Sequence, residues 1–355
     1  MKRIIQNLIL MAAILSGSLS VLAQDVKFEG YYAAADGKKQ AELKTALFQI
    51  IKNPKVVSYS GLYEAYRKSD LRADGKVRDW YSNVTNFNLD TDRAGTYTKE
   101  GDCFNREHSV PQSWFSKESP MKSDLVHVVP TDGYVNNRRS NYPFGETKGE
   151  VYKSANAYSK LGACTVSGYS GQVFEPNDEL KGDFARIYFY MVTCYEDKIP
   201  SWNGGTASQV FDGKTYPGLK DWTLNMFLRW AKQDPVDDIE RARNEVVYQV
   251  QKNRNPFVDY PSLAEYIWGD SVSYAFDANN GHVINPDNPD KPDNPDDPDN
   301  PDDPNEPNGV NAPPEAPSFR LIFDEQGRYL GHSYPPRHGT YLVREGQKTK
   351  KIIIK

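Results

Sequence analysis

Residues 286–307 read PDNPDKPDNPDDPDNPDDPNEP, and no other stretch of this 355-residue chain restricts its fold so severely. Proline recurs at about every third position and removes backbone donors, while the aspartates repel one another, so no core forms there. The period matches the polyproline II turn, which makes the stretch a semi-rigid spacer of about 70 Å at ~3.1 Å per residue. Reading the aspartates as a calcium site fails, because no folded loop converges them. The repeat therefore divides the chain into a leader over 1–23, a body over 24–285, a disordered linker over 286–317 and a tail over 318–355.

The leader carries Lys2 and Arg3, then an apolar run, then Ala23 before Gln24. This is the pattern of a secretory signal cut after Ala23, and the run is too short for a membrane span. No cysteine stands beside the cut, which argues against a lipid anchor. An exported, secreted or cell-surface protein is expected.

Cys103, Cys164 and Cys194 are too few for a disulfide framework. An oxidising destination permits one bridge, with Cys103–Cys164 as a candidate that spacing alone does not establish. Cys194 lies on an apolar helical stripe and reads as a small buried hydrophobe. No CxxC or Cys/His cluster suggests structural zinc. The formal charge of −5 resolves into −8 in the repeat and +3 elsewhere, and the body itself is slightly acidic. That excludes a protein that coats nucleic acid through a general basic field. It is compatible with an enzyme that holds a few phosphates locally.

The body reads as α+β, with helices dominating. Ala41–Lys52 places Leu43, Leu47 and Ile50 on one face, and Asp178 is the expected cap of a helix through Tyr195. Phe184, Ile187, Met191 and Cys194 form its buried stripe, and Leu219–Lys232 and Val236–Gln251 repeat that character. Strands are expected between Phe104 and Val129, including Leu125–Val129. In the tail, Leu321, Phe323, Tyr341 and Val343 alternate with polar residues around a Gln326-Gly327 turn, which predicts a small β-rich unit.

Chemistry-bearing residues gather at Asn105-Arg106-Glu107-His108. A phosphodiester cutter needs a base for water and hard ligands for a cation on the phosphoryl oxygens. Glu107 and His108 supply both types, although neighbours on a strand point to opposite faces. Taken alone, the pair is more often a surface feature. The segment Ser123–Val129 adds a strand with His127, and Thr131 is a reasonable cap for a helix to about Ser140 that carries Asn136, Asn137, Arg138 and Arg139. Strand, strand and helix with an oxygen ligand make the layout of a ββα-metal finger.

The blocks NREHSVPQSWF and DLVHVVPTDGYVNNRRSNYPFGE resemble the signatures of the endonuclease I family of bacterial secreted ββα-metal nucleases. Lys181–Met191 and Gln251–Pro261 extend the resemblance, in the family's order, over much of Leu43–Trp268. The resemblance implies an endonuclease acting on DNA, with RNA as a second candidate, and with little sequence specificity. His108 would be the base for the attacking water. Glu107 and Asn136 would hold one divalent metal, Mg²⁺ first, with Ca²⁺ or Mn²⁺ as alternatives, and a 5′-phosphate would be left. Arg139 and Asn141 would touch phosphate or brace the loop, Arg186 would reach the same cleft, and Asn105 and Asn137 would support the ligands. The family often has paired histidines where this chain has Val126-His127, so His127 takes a structural or supporting role. The tail, with Gly339–Arg344 and a Lys/Ile end, resembles the sorting modules of type IX secretion, which implies contact with secretion machinery.

Two other classes fit the sequence less well. A metallopeptidase lacks HExxH and a zinc triad. A non-catalytic surface or adhesion protein that keeps a relic of the fold remains the alternative, disfavoured by the presence together of Glu107, His108 and Asn136.

Overall fold

The computed structural model describes Phe28, residues 30–278 and four strands of the tail. The expected leader, the linker and the Gln326-Gly327 turn lie outside the described residues.

A helix buried on every side organises the body. In α4 (Lys181–Cys194), all 14 residues are buried, which marks a central rather than a surface helix. Phe184 meets Phe144 at 4.5 Å and Trp80 at 5.4 Å between ring centroids, and Tyr188 meets Phe227 at 4.7 Å. Phe227 belongs to α6 (Asp221–Gln233), whose inner face carries Trp222, Met226, Phe227 and Trp230. Helices α1 (Gln40–Ile51), α2 (Leu62–Ser69), α7 (Asp238–Gln251), α8 (Pro256–Asp259) and α9 (Leu263–Ile267) complete the helical shell, and α5 (Ala207–Val210) is a single turn.

The cations carried by α4 are neutralised inside the protein. Lys181 pairs with Glu175 at 2.8 Å, and Arg186 donates to Glu240 at 2.7 Å and to the Asp234 carbonyl at 2.8 Å. Buried groups of this kind are tolerated only when paired and hydrogen-bonded.

Strands β1 (Phe104–His108) and β2 (Val128–Asp132) form an antiparallel pair, with Asn105 opposite Thr131 and His108 opposite Val128. Helix α3 (Gly133–Arg139) follows β2 directly. A second antiparallel sheet, unforeseen in the sequence, joins β3 (Tyr152–Lys153), β4 (Lys160–Ala163) and β5 (Gln172–Glu175) in that order. The tail contains β6 (Arg320–Asp324), β7 (Tyr329–Gly331), β8 (Gly339–Glu345) and β9 (Lys348–Ile354) as an antiparallel sheet in the order β7-β6-β8-β9.

Several local expectations are corrected. Leu125–His127 is a turn rather than strand, because Asp124 Oδ1 accepts the Val126 amide at 2.9 Å and its carbonyl accepts the Val128 amide at 3.0 Å. The cap of α3 is Asp132, not Thr131: its Oδ1 accepts the Val135 amide at 2.8 Å. Asn177, not Asp178, caps the approach to α4, through a 3₁₀ turn at Asp178–Leu180. The Cys103–Cys164 bridge is not formed, and all three thiols are free. Cys194 is buried as expected, with its Sγ 3.3 Å from the Ile51 carbonyl.

Candidate active site

Side-chain alternation along β1 divides the site in two. Asn105 and Glu107 face α3, where Asn136 Nδ2 donates to Asn105 Oδ1 at 2.6 Å and Arg139 Nη1 donates to Glu107 Oε1 at 2.8 Å. The spacing of Asn136 and Arg139, three residues on one helix, lets both reach the same strand. Arg106 and His108 turn to the other face, towards Tyr59: the Arg106 guanidinium lies 3.6 Å from the Tyr59 ring, and the His108 ring stacks on it at 5.9 Å.

Glu107 is buried, and its Oε1 also accepts from Tyr81 Oη at 2.7 Å. Burial pushes its carboxyl above the usual range, while the Arg139 guanidinium and the Tyr81 hydroxyl oppose that shift. Tyr81, itself raised well above an ordinary phenol by burial and by Glu107, remains a neutral donor. It is held by a loop built on Asp79, whose Oδ1 accepts the amides of Tyr81 at 2.8 Å and Asp132 at 3.0 Å. One carboxylate thus ties the Tyr81 loop to the start of α3.

Arg139 is also buried, and its guanidinium donates to the carbonyls of His108 at 2.9 Å and Ser109 at 2.6 Å. Tyr188 of α4 donates to the same Ser109 carbonyl at 2.9 Å. Of the two roles expected for Arg139, the geometry is that of a brace on the strand end.

His108 Nε2 lies 2.9 Å from the Lys122 carbonyl. A carbonyl only accepts, so Nε2 carries the proton and a neutral ring keeps its lone pair on Nδ1. Burial, with His127 adding to it, lowers the His108 pKa to about 3. His127 is fully buried at a ring separation of 5.7 Å, with Nε2 2.6 Å from the Met121 carbonyl. Phe115 packs beside both imidazoles at 6.4 and 5.9 Å.

The remaining expected residues divide. Asn137 and Asn141 are exposed, and the Asn141 carbonyl accepts from the Thr206 hydroxyl at 2.8 Å. Arg186 does not reach the cleft as expected: it is spent on Glu240 and Asp234 within the core. Tyr59, Asp79, Tyr81 and the Lys122 carbonyl went unread in the sequence. The first three come from loops far from the motif in sequence, and Lys122 from a 3₁₀ turn at Met121–Ser123, where periodicity carries no information.

For a cation, Glu107 and Asn136 would offer hard oxygen donors. Among the described residues nothing donates to Asn136 Oδ1, and Tyr81 and Arg139 both use Glu107 Oε1, so neither occupies Oε2. No cluster of three or more His, Cys, Asp or Glu side chains suited to a metal occurs among the described residues. The donor set therefore fits an ion that retains several waters, as Mg²⁺ does.

Two antiparallel strands thus lead directly into a helix, with a neutral imidazole and a braced carboxylate at the strand end. The family model described as Endonuclease I matches residues 39–262. The chain belongs to the endonuclease I family. It is 34% identical over 259 residues to an extracellular ribonuclease of Bacillus amyloliquefaciens, covering 71% of this chain and 82% of that one. An extracellular ribonuclease of Bacillus subtilis (strain 168) is 35% identical over 250 residues, covering 67% and 78%. An extracellular deoxyribonuclease of Aeromonas hydrophila is 28% identical over 141 residues, covering 39% and 50%.

Proposed function

We propose that this chain is an extracellular endonuclease that uses a divalent metal to hydrolyse phosphodiester bonds in DNA and RNA with little sequence preference. The observation that carries the reading is the His108 imidazole, held neutral with Nε2 on a carbonyl and Nδ1 free to take a proton. Its neighbour Glu107 is braced by Tyr81 and Arg139, which suits a ligand whose position must not drift.

In the mechanism, Nδ1 of His108 receives a proton from water as the water oxygen attacks phosphorus. The bond to the 3′ oxygen breaks and that oxygen takes a proton from solvent, leaving a 5′-phosphate on one product and a 3′-hydroxyl on the other. Glu107 and Asn136 would hold the divalent cation, which supplies charge stabilisation to the phosphoryl and leaving oxygens when bound. Arg139 keeps Glu107 and the His108 carbonyl in register, so base and ligand are preorganised relative to each other.

The nucleophile here is water rather than a ribose 2′-hydroxyl, so the chemistry is indifferent to the sugar. The names of the relatives, ribonuclease and deoxyribonuclease alike, support a substrate range that includes both polymers. Residues 1–23 would direct export, and the tail would serve as an address for secretion machinery without a part in catalysis. Among the described residues no helix is long and apolar enough to cross a membrane.

Matched DNA and RNA substrates incubated with Mg²⁺, Mn²⁺, Ca²⁺ or EDTA test the reading. Cleavage of both polymers with at least one divalent ion, abolished by EDTA, is expected. Intact substrates under every ion would sink it and favour a non-catalytic surface protein.

A further inference from the structure

Arginine in this body is mostly neutralised. Most arginines within residues 30–278 lie within 4 Å of a carboxylate, from the exposed Arg67 with Asp90 to the buried Arg243 with Asp70. Arg78, Arg93, Arg106 and Arg138 have no such pair among the described residues. Arg78 is half-buried, with its guanidinium 5.2 Å from the Trp80 ring, and the carboxylates of Asp183, Asp237 and Asp70 act on its charge. The other three stand on the finger or beside it.

On the His108 side, Arg106 is packed against Tyr59 at 3.6 Å and Tyr63 at 4.5 Å, while Arg93 lies 5.0 Å from the Tyr63 ring. Lys122 lies 5.2 Å over Tyr59 and lends its carbonyl to His108. Arg106 Nη1 donates to the Tyr59 carbonyl at 2.7 Å, and its Nε is buried without a partner. On the Asn136 side, exposed Arg138 lies 4.8 Å from the Tyr134 ring and 5.6 Å from the Tyr152 ring, and it also bonds the Tyr134 hydroxyl.

A guanidinium laid on a tyrosine face is held in place without being neutralised. Its charge stays available to a polyanion, and little entropy remains to be lost when one binds. The body as a whole is slightly acidic, and among its arginines Arg106 and Arg138 are exceptions that stand where the base and the oxygen ligands sit.

We propose that Arg106 and Lys122 on one side of the Glu107–His108 step, and Arg138 on the other, seat the phosphates that flank the scissile one. The inference rests on the nuclease reading and adds to it the residues that hold the polyanion. All three contacts are to backbone charge, which accounts for binding without sequence preference.

Fluorescence anisotropy of a labelled DNA duplex, across a series of NaCl concentrations, tests it with the full chain. Wild type is measured in EDTA, and His108→Ala with Mg²⁺, so that the probe stays intact. Arg106→Gln, Lys122→Gln and Arg138→Gln are each expected to weaken binding about threefold or more. Each should also lower the slope of log affinity against log salt by ~0.9, the signature of one lost phosphate contact. Arg241→Gln removes the same formal charge at an exposed site, where Arg241 lies 3.9 Å from Asp238 and donates to the Val236 carbonyl at 3.0 Å, and it should move neither quantity. Because Arg138 is exposed, its variant is decisive even if Arg106→Gln disturbs the fold.

Unchanged slopes in the three variants, or an equal loss in Arg241→Gln, would overturn the inference. If wild type cuts nucleic acid while the variants bind as it does, this inference alone fails. If wild type neither binds nor cuts, the nuclease reading fails with it.

Discussion

The Lys122 carbonyl, 2.9 Å from His108 Nε2, leaves the imidazole one nitrogen with a free lone pair, and burial keeps that lone pair unprotonated. Support for Glu107 is equally specific, and substitutions there have distinct signatures. Arg139→Ala removes the counterion of a buried carboxylate and two carbonyl contacts, and should cost about 3–5 kcal/mol in urea unfolding. A loss below about 1 kcal/mol would show that the brace is dispensable. Tyr81→Phe keeps the ring and deletes one donor to Glu107; the half-saturating Mg²⁺ concentration for cleavage should rise about tenfold, and an unchanged titration contradicts that role. His127 gives a pH signature. Burial lowers its pKa from 6.5 to about 4, so between these values the unfolded chain binds more protons than the folded one. Its contribution is present above pH 6.5 and is lost as pH falls towards 4, by on the order of 3 kcal/mol. The stability difference between wild type and His127→Gln, measured by urea unfolding at pH 7 and pH 4, should shrink by about that amount; a constant difference contradicts it. Glu107, His108, Asn105 and Asn136 stand out in the sequence because they sit in compact motifs. Tyr81 does not, because its contact with Glu107 spans 26 residues and starts from a loop.

At the scale of elements, the finger depends on how β2 hands over to α3. Asp132 closes that junction, accepting from Val135 at 2.8 Å and from Gly101 at 2.7 Å. Asp132→Ala should destabilise the protein by about 1–2 kcal/mol through the lost cap, seen as a lower urea midpoint. An unchanged midpoint would mean that the junction is held by packing alone. Helices α1, α4, α6 and α7 were legible from their apolar period, to within a few residues at the ends, whereas α2, α5, α8 and α9 went unread. Strand β2 was displaced in the sequence reading because Leu125–Val129 has strand-like composition, whereas the Asp124 side chain and carbonyl turn the backbone there. That turn is held from distant helices: Tyr190 and Tyr195 donate to Asp124 at 2.7 and 2.6 Å, and Arg243 donates to the Leu125 carbonyl at 2.6 Å. No local pattern announces such clamps. The short strands β3 to β5 escaped for a related reason, since pieces of 2 to 4 residues carry too little alternation to stand out.

For the whole molecule, the described body closes on itself: the Gly37 amide bonds the Phe276 carbonyl at 2.8 Å, and the Ala278 amide bonds Asp36 at 2.9 Å. A chain ended at residue 285 should therefore keep both its melting temperature and its cleavage rate, and a large fall in either would tie the tail to the catalytic body. The central claim is that His108 is the base of a metal-dependent nuclease. Single-turnover cleavage of a supercoiled plasmid at saturating Mg²⁺, by wild type and by His108→Ala, tests it most directly. The account predicts a rate at least about 100-fold lower in the variant, in line with the loss of a general base, with the fold intact by circular dichroism. Equal rates in the two proteins would contradict it.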